Sequence, residues 1–193
     1  MNRKLSLLMI NGLLTAALLQ GCAGAIIAGG ATGAAVASDR RTVGEVVDDQ
    51  SIEFKAMRAI FSDSELSDKA RISITSFNGV VLLTGQAPTE ELRTRAADKV
   101  KGITKVKRVH SEITVGQPIA FQTASRDSWI TTKVKTMLLG AKEISANDIK
   151  VVTDSSVVYL MGVVTRKEAD IASDIASRTD GVERVVRIFE YLD

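Results

Sequence analysis

Apolar positions along the chain switch between two periods, and the whole switch occurs twice. From about 50 to 62 they recur at helical spacing. Two short runs rich in β-branched residues follow, 71–77 and 80–84, and both read as strands. Asn78-Gly79 between them is a strong hairpin turn, because both residues tolerate φ > 0. A second helical pattern covers about 89–100, opened by Pro88-Thr89 with Glu90-Glu91 in its first turn. A third strand is predicted at about 105–115. The same order returns as a helix near 127–140, strands at 149–153 and 157–161, a helix near 166–178 and a strand near 183–192.

The recurrence is visible residue by residue. Ile72 to Gly85 aligns without a gap on Ile149 to Gly162, an offset of 77. Carried into the preceding helix, that offset sets Met57, Ile60 and Phe61 on Val134, Met137 and Leu138. Further on, Gly102-Ile103 and Val106 match Gly181-Val182 and Val185 at an offset of 79, as though the second helix had gained two residues. The expected fold class is α+β: two tandem αββαβ domains, each a three-stranded sheet covered on one face by two helices. Their expected limits are 48–116 and 117–193. Domains of about 70 residues have marginal cores, so the two are expected to support each other.

The first residues read as an address. Asn2-Arg3-Lys4 precedes an apolar run from Leu5 to Leu19, too short to span a bilayer but right for a signal peptide. It closes at Leu19-Gln20-Gly21-Cys22, which resembles a bacterial lipobox. Residues 1–21 are therefore expected to be a lipoprotein signal. Cys22 is the expected lipid anchor, and 22–47 a lipidated Cys followed by a Gly/Ala-rich tether. Two acyl chains already give stable anchoring. Ala23, rather than Asp, follows the Cys, which implies an outer-membrane address facing the periplasm. Cleavage also removes Arg3 and Lys4, so the 25 basic residues fall to 23 against 23 acidic ones. A neutral mature chain gives no bulk attraction to nucleic acid, and no nucleic-acid partner is expected.

Little in the composition suggests catalysis. One Cys and one His leave no Cys-rich zinc site and no multi-His centre, so no metal and no cofactor is expected. His110 reads as a surface residue on a strand, opposite Val109. There is no Gly-x-Ser-x-Gly elbow, and Glu90-Glu91 is explained by its helix N-terminus. Lys105-Val-Lys-Arg108 reads as a solvated strand edge. The chain is expected not to be an enzyme.

The copies differ most at their first helix. With Trp129 at 0° on a helical wheel, Met137, Ile130, Val134 and Leu138 fall between about 80° and 180°, the expected core stripe. Trp129 and Leu139 lie off it, with Lys133. At the strand offset the equivalents of Trp129 and Leu139 are Ile52 and Ser62. Residues 125–141 carry a net +2 (Arg126, Lys133 and Lys135 against Asp127). Residues 48–64 carry −2 (Lys55 and Arg58 against Asp48, Asp49, Glu53 and Asp63). An outward apolar face with positive charge suits an anionic lipid surface. The pattern equally allows Trp129 to be buried between the two domains.

The αββαβ order, Gly85 and Gly162 at strand ends, and the Gly-[Ile/Val]-x-x-Val turns at 102–106 and 181–185 resemble the BON domain. Two such units behind a lipobox, with Trp129-Ile-Thr-Thr-Lys-Val opening the second, resemble the dual BON-domain outer-membrane lipoproteins. That resemblance implies recognition of anionic, phosphatidylglycerol-like phospholipid through the second domain, at Trp129, Ile130, Lys133, Val134, Leu138 and Leu139. It also implies a role in envelope integrity, with enrichment at the division site. The alternative is a protein-interaction module, an assembly or quality-control factor for envelope proteins, with Trp129 as its hot spot.

Overall fold

A computed structural model of the chain describes residues 39–117 and 122–193. The expected signal peptide, Cys22 and the tether up to residue 38 lie outside the described residues. Helix α1 (Val43–Phe61) is followed by a short α2 (Ser64–Lys69), strands β1 (Arg71–Phe77) and β2 (Val80–Ala87), α3 (Glu90–Lys101) and β3 (Arg108–Val115). The second set is α4 (Gln122–Gly140), a single 3-10 turn (Ala146–Asp148), β4 (Ile149–Asp154), β5 (Val157–Val164), α5 (Arg166–Ser177) and β6 (Arg184–Tyr191). The expected αββαβ order is present twice. The first copy adds α2, capped by the Asp63 carboxylate on the Glu65 and Leu66 amides.

Each sheet runs in sequence order, its first pair antiparallel and its second parallel. A parallel neighbour requires a crossover, which α3 and α5 supply. Glycine is obligatory where β2 passes β1: Gly85 has φ +115°, and a Cβ there would lie 1.9 Å from the Arg71 carbonyl oxygen.

The central strands are buried on both faces. From β2, Val81 and Leu83 enter a core with Ile52, Ala56, Ile60, Leu92, Ala96 and Val100. Val158 and Leu160 of β5 enter the matching core with Ile130, Val134, Leu138 and Ala172. The opposite faces meet each other: Phe77, Val80 and Leu82 pack with Tyr159, Met161 and Ile188. Each of these six is nearly fully buried, and each contributes about 1.5–3 kcal/mol by leaving water. That seam is the mutual support expected of two small domains. It also pushes the Tyr159 phenol up to about 12, through burial first and the nearby Glu112 and Asp154 second.

Two arginines pin the chain's entry to both domains. The Arg40 guanidinium donates to both Glu168 oxygens, at 2.8 and 2.7 Å, and pairs with Asp148 at 3.1 Å, all in the second domain. Arg41 pairs with Asp39 and with buried Asp49, and its guanidinium lies 3.8 Å from the Phe77 ring centroid.

The strand register agrees with an offset of 77, but the helices do not share it. Ile52, Ala56 and Ile60 occupy the places of Ile130, Val134 and Leu138, an offset of 78. In the second half the N-caps are Thr89 and Thr165, an offset of 76, and both helices have twelve residues. No residues were gained within the helix. Gly102 and Gly181 are therefore not equivalent: Gly102 caps α3 in a helical conformation, while Gly181 takes φ +93°. The counterpart of Gly181 is Lys105, strained to φ +74°.

Candidate functional site

One carboxylate in each first helix fixes the register. Asp49 accepts from the Asn78 and Gly79 amides at 2.7 and 2.8 Å and from the Ser76 hydroxyl at 2.7 Å. Asp127 accepts from the Ser155 and Ser156 amides at 2.8 and 2.9 Å. Each therefore holds the hairpin turn of its own sheet. Ser155 and Ser156 have φ of 52° and 64°, costly without glycine, so the second turn leans on its aspartate more. The sequence signal for this pair was the recurrence of Asp49 at Asp127, hidden by the strand offset.

That register settles which side chains of α4 face outward. Ile130, Val134 and Leu138 are buried in the second core, where no lipid or partner reaches them without unfolding. Trp129 is 50% exposed and Leu139 70% exposed. Trp129 is therefore not sealed between the domains. Lys133 joins them: its Nζ lies 3.9 Å from the Trp129 ring centroid and 3.5 Å from the Asp180 carboxylate. A cation over an indole face at this distance is favourable and holds the ring upright. Met137, expected in the core, is instead 44% exposed, with its sulfur accepting from the Thr179 hydroxyl at 3.3 Å. Gly181 lies beneath: a Cβ there would come within 3.2 Å of Ile130 and 3.6 Å of the Trp129 ring. On the outward side of α4, Trp129 thus stands between Lys133 on one flank and Leu139 on the other, and Arg126 and Lys135 add positive charge to the helix.

The contrast with α1 is not the one expected. At the structural offset Trp129 faces Ser51 and Leu139 faces Phe61. The acidic charge of the first helix stands, since residues 47–63 hold Lys55 and Arg58 against Asp48, Asp49, Glu53 and Asp63. Its apolar half reverses: Val43, Val47, Phe54, Met57 and Phe61 are all exposed. The first helix carries the larger outward apolar surface.

Elsewhere the chemistry is sparse. His110 is half-buried rather than freely exposed. It pairs with Leu82 across β2 and β3, on the seam side, with a buried Nε2 that has no hydrogen-bond partner among the described residues. Burial pushes its pKa down, and Arg108 adds to this. A cleft of about 400 Å³ lies between Arg71, Ser73 and Thr84 on one side and Asp127, Ser128 and Thr153 on the other. Both of its carboxylates are committed, Asp127 to the Ser155 and Ser156 amides and Asp154 to the Ser155 hydroxyl at 2.9 Å. Among the described residues no three His, Cys, Asp or Glu converge as a metal site. None of the described helices is long and apolar enough to cross a membrane.

Two small mixed sheets, each backed by helices, are joined back to back and define a tandem α+β pair. The BON domain pattern matches residues 48–117 and 126–192, and the chain belongs to the BON domain family. It is similar to the outer membrane lipoprotein DolP of Haemophilus influenzae, 42% identical over 91% of each chain. It is also similar to a 21 kDa hemolysin of Actinobacillus pleuropneumoniae, 36% identical over 80% of this chain and 79% of that one. The osmotically-inducible protein Y of Escherichia coli is 28% identical over 79% of this chain and 77% of that one.

Proposed function

We propose that the protein is a non-enzymatic outer-membrane lipoprotein, exported by residues 1–21 and anchored at Cys22, whose second BON domain recognises anionic phospholipid through α4. Trp129 and Leu139 enter the headgroup boundary, Lys133 meets phosphate, and Ile130, Val134 and Leu138 hold the helix beneath them. The observation that carries this reading is Trp129 held half out of the domain with the Lys133 ammonium over its ring. An indole with an apolar body and one N–H donor belongs at such a boundary. A cation beside it adds about 1 kcal/mol near an anionic surface. The name of the Haemophilus relative, an outer membrane lipoprotein, supports the address. Support of envelope integrity and enrichment at division sites would follow from the lipid that α4 selects.

The test is NMR on residues 39–193 titrated with phosphatidylglycerol micelles and then with zwitterionic ones. Amide shifts gathered at 128–140 with the anionic lipid alone, weakening with salt, are expected. No shift with either lipid overturns the reading in favour of a protein-docking module.

A further inference from the structure

The outward face of α1 carries a pattern that the lipid reading does not use. Val43, Val47, Gln50, Phe54, Met57 and Phe61 are spaced 4, 3, 4, 3 and 4 residues apart. This is a strict heptad seam, with Val47, Phe54 and Phe61 at a and Val43, Gln50 and Met57 at d. All six are solvent-exposed, Val43 by 64% and Phe54 by 62%. On a wheel they span about 80°, centred about 140° from the stripe of Ile52, Ala56 and Ile60 in the core. A helix that lies in a lipid surface presents a broader apolar face, whereas a seam this narrow fits one other helix.

We infer that α1 pairs in parallel with α1 of a second copy of this chain. The five apolar side chains expose on the order of 500 Å² per copy, the upper part of what one patch on a monomer presents. Covering both copies removes about 1,000 Å², the lower bound of a specific interface. The flanking charges choose the orientation. Glu53, one of whose carboxylate oxygens accepts from the Ser76 amide at 2.8 Å, stands at a g position and Arg58 at the following e position, so a parallel in-register pair brings the other oxygen to Arg58 twice. An antiparallel pair sets Glu53 against Glu53 and Arg58 against Gly44. Arg58 makes no ion pair among the described residues and is free for this contact. Gln50 is the single polar seam residue, and its amide meets its own copy only in the parallel register, which fixes it. Twenty residues separate Cys22 from Val43, so parallel helices also bring both anchors to one membrane. The inference concerns the first domain and does not rest on lipid binding by the second.

The test uses single cysteines in the full anchored chain, whose native Cys22 is acylated if the proposed anchor is correct. Gln50→Cys is expected to give a disulfide-linked dimer, and Val43→Cys likewise, while Lys55→Cys on the outer side gives none. In the mature chain carrying Cys22→Ser, sedimentation is expected to show a concentration-dependent dimer. Phe54→Glu should weaken it at least tenfold, and Arg58→Glu a few-fold. Phe54 is exposed, so its variant should keep the wild-type unfolding midpoint. A monomer at every concentration together with no disulfide at 43 or 50 overturns the inference. So does linkage of Val43→Cys only to Phe61→Cys, which would mean an antiparallel pair. Loss of vesicle binding by Phe54→Glu in a chain that stays monomeric would make the occupant a bilayer, and overturns it too.

Discussion

Helices α1 and α4 are the same element in two copies, and they agree on the inside while disagreeing on the outside. Ile52, Ala56 and Ile60 superpose in role on Ile130, Val134 and Leu138, and Asp49 on Asp127. Outward, α4 presents Trp129, Lys133 and Leu139 with net positive charge. α1 presents a longer and narrower apolar seam with net negative charge. The inner face is constrained by packing and by one carboxylate that must reach a turn. The outer face answers only to whatever it meets, so two copies of one fold can serve two partners.

The largest effect should come from breaking the inner agreement. Asp127→Ala strands the Ser155 and Ser156 amides in a turn that serine disfavours, and should cost about 3 kcal/mol in urea unfolding. Asp49→Ala should cost less at its turn, since Asn78-Gly79 adopts the conformation unaided. Adding Ser156→Gly to Asp127→Ala should recover part of the loss. Equal losses from the two alanines would show that the turns depend on their aspartates alike, against the argument from φ.

The outer disagreement is tested by one substitution on each helix. Trp129→Glu should reduce binding to phosphatidylglycerol vesicles more than tenfold, measured by co-sedimentation, with the unfolding midpoint within a few degrees of wild type. Phe54→Glu should leave that binding unchanged. A smaller effect belongs to Lys133→Gln, a loss of about 1 kcal/mol or roughly fivefold, fading as salt is raised. If Phe54→Glu and Trp129→Glu proved equally damaging to lipid binding, the division of labour between the helices would be wrong.

Element order and the first two strands of each sheet were legible in the sequence because β1, β2, β4 and β5 align without gaps and bracket turn residues that need φ > 0. The helix register was not. One residue is lost between α4 and β4, where α2 is replaced by the Ala146–Asp148 turn, and another is lost before α5, where Thr165 follows β5 directly. A single offset carried across those joints misplaces each helix by one residue, a rotation of about 100°. That rotation set Met57 and Phe61 on core positions, although both are exposed, whereas Met137 lies at the edge of the core stripe on α4's own wheel and is covered only in part. Trp129 and Leu139 were still placed outward, since their wheel was drawn on α4 itself. The burial of His110 was illegible for another reason: alternation within β3 tells which faces differ, not that the second face is covered by another domain.

The two capping boxes give the smallest and most selective comparison. Thr42 with Glu45 opens α1, and Thr165 with Glu168 opens α5, each glutamate accepting from the N-cap amide and hydroxyl. Only Glu168 also holds an arginine. The Arg40 guanidinium is the main cause that brings the Glu168 carboxyl from its ordinary 4.5 down to about 2, with the Thr165 bonds adding to it. Glu45 is lowered by its Thr42 bonds, the backbone one first. A carboxylate depressed in the folded state adds stability above its unfolded pKa and loses it as pH falls through the folded one. The contribution of Glu168 should be complete at neutral pH, shrink below about pH 4.5 and vanish near pH 2. Glu168→Gln keeps an N3 side chain that can reach the N-cap but removes the charge Arg40 needs. The gap in melting temperature between wild type and this variant should therefore close over that window, while Glu45→Gln shows a narrower gap. A gap for Glu168→Gln that stays constant from pH 7 to pH 2.5 would mean that the ion pair with Arg40 contributes nothing, and that Arg40 is held to the second domain by Asp148 instead.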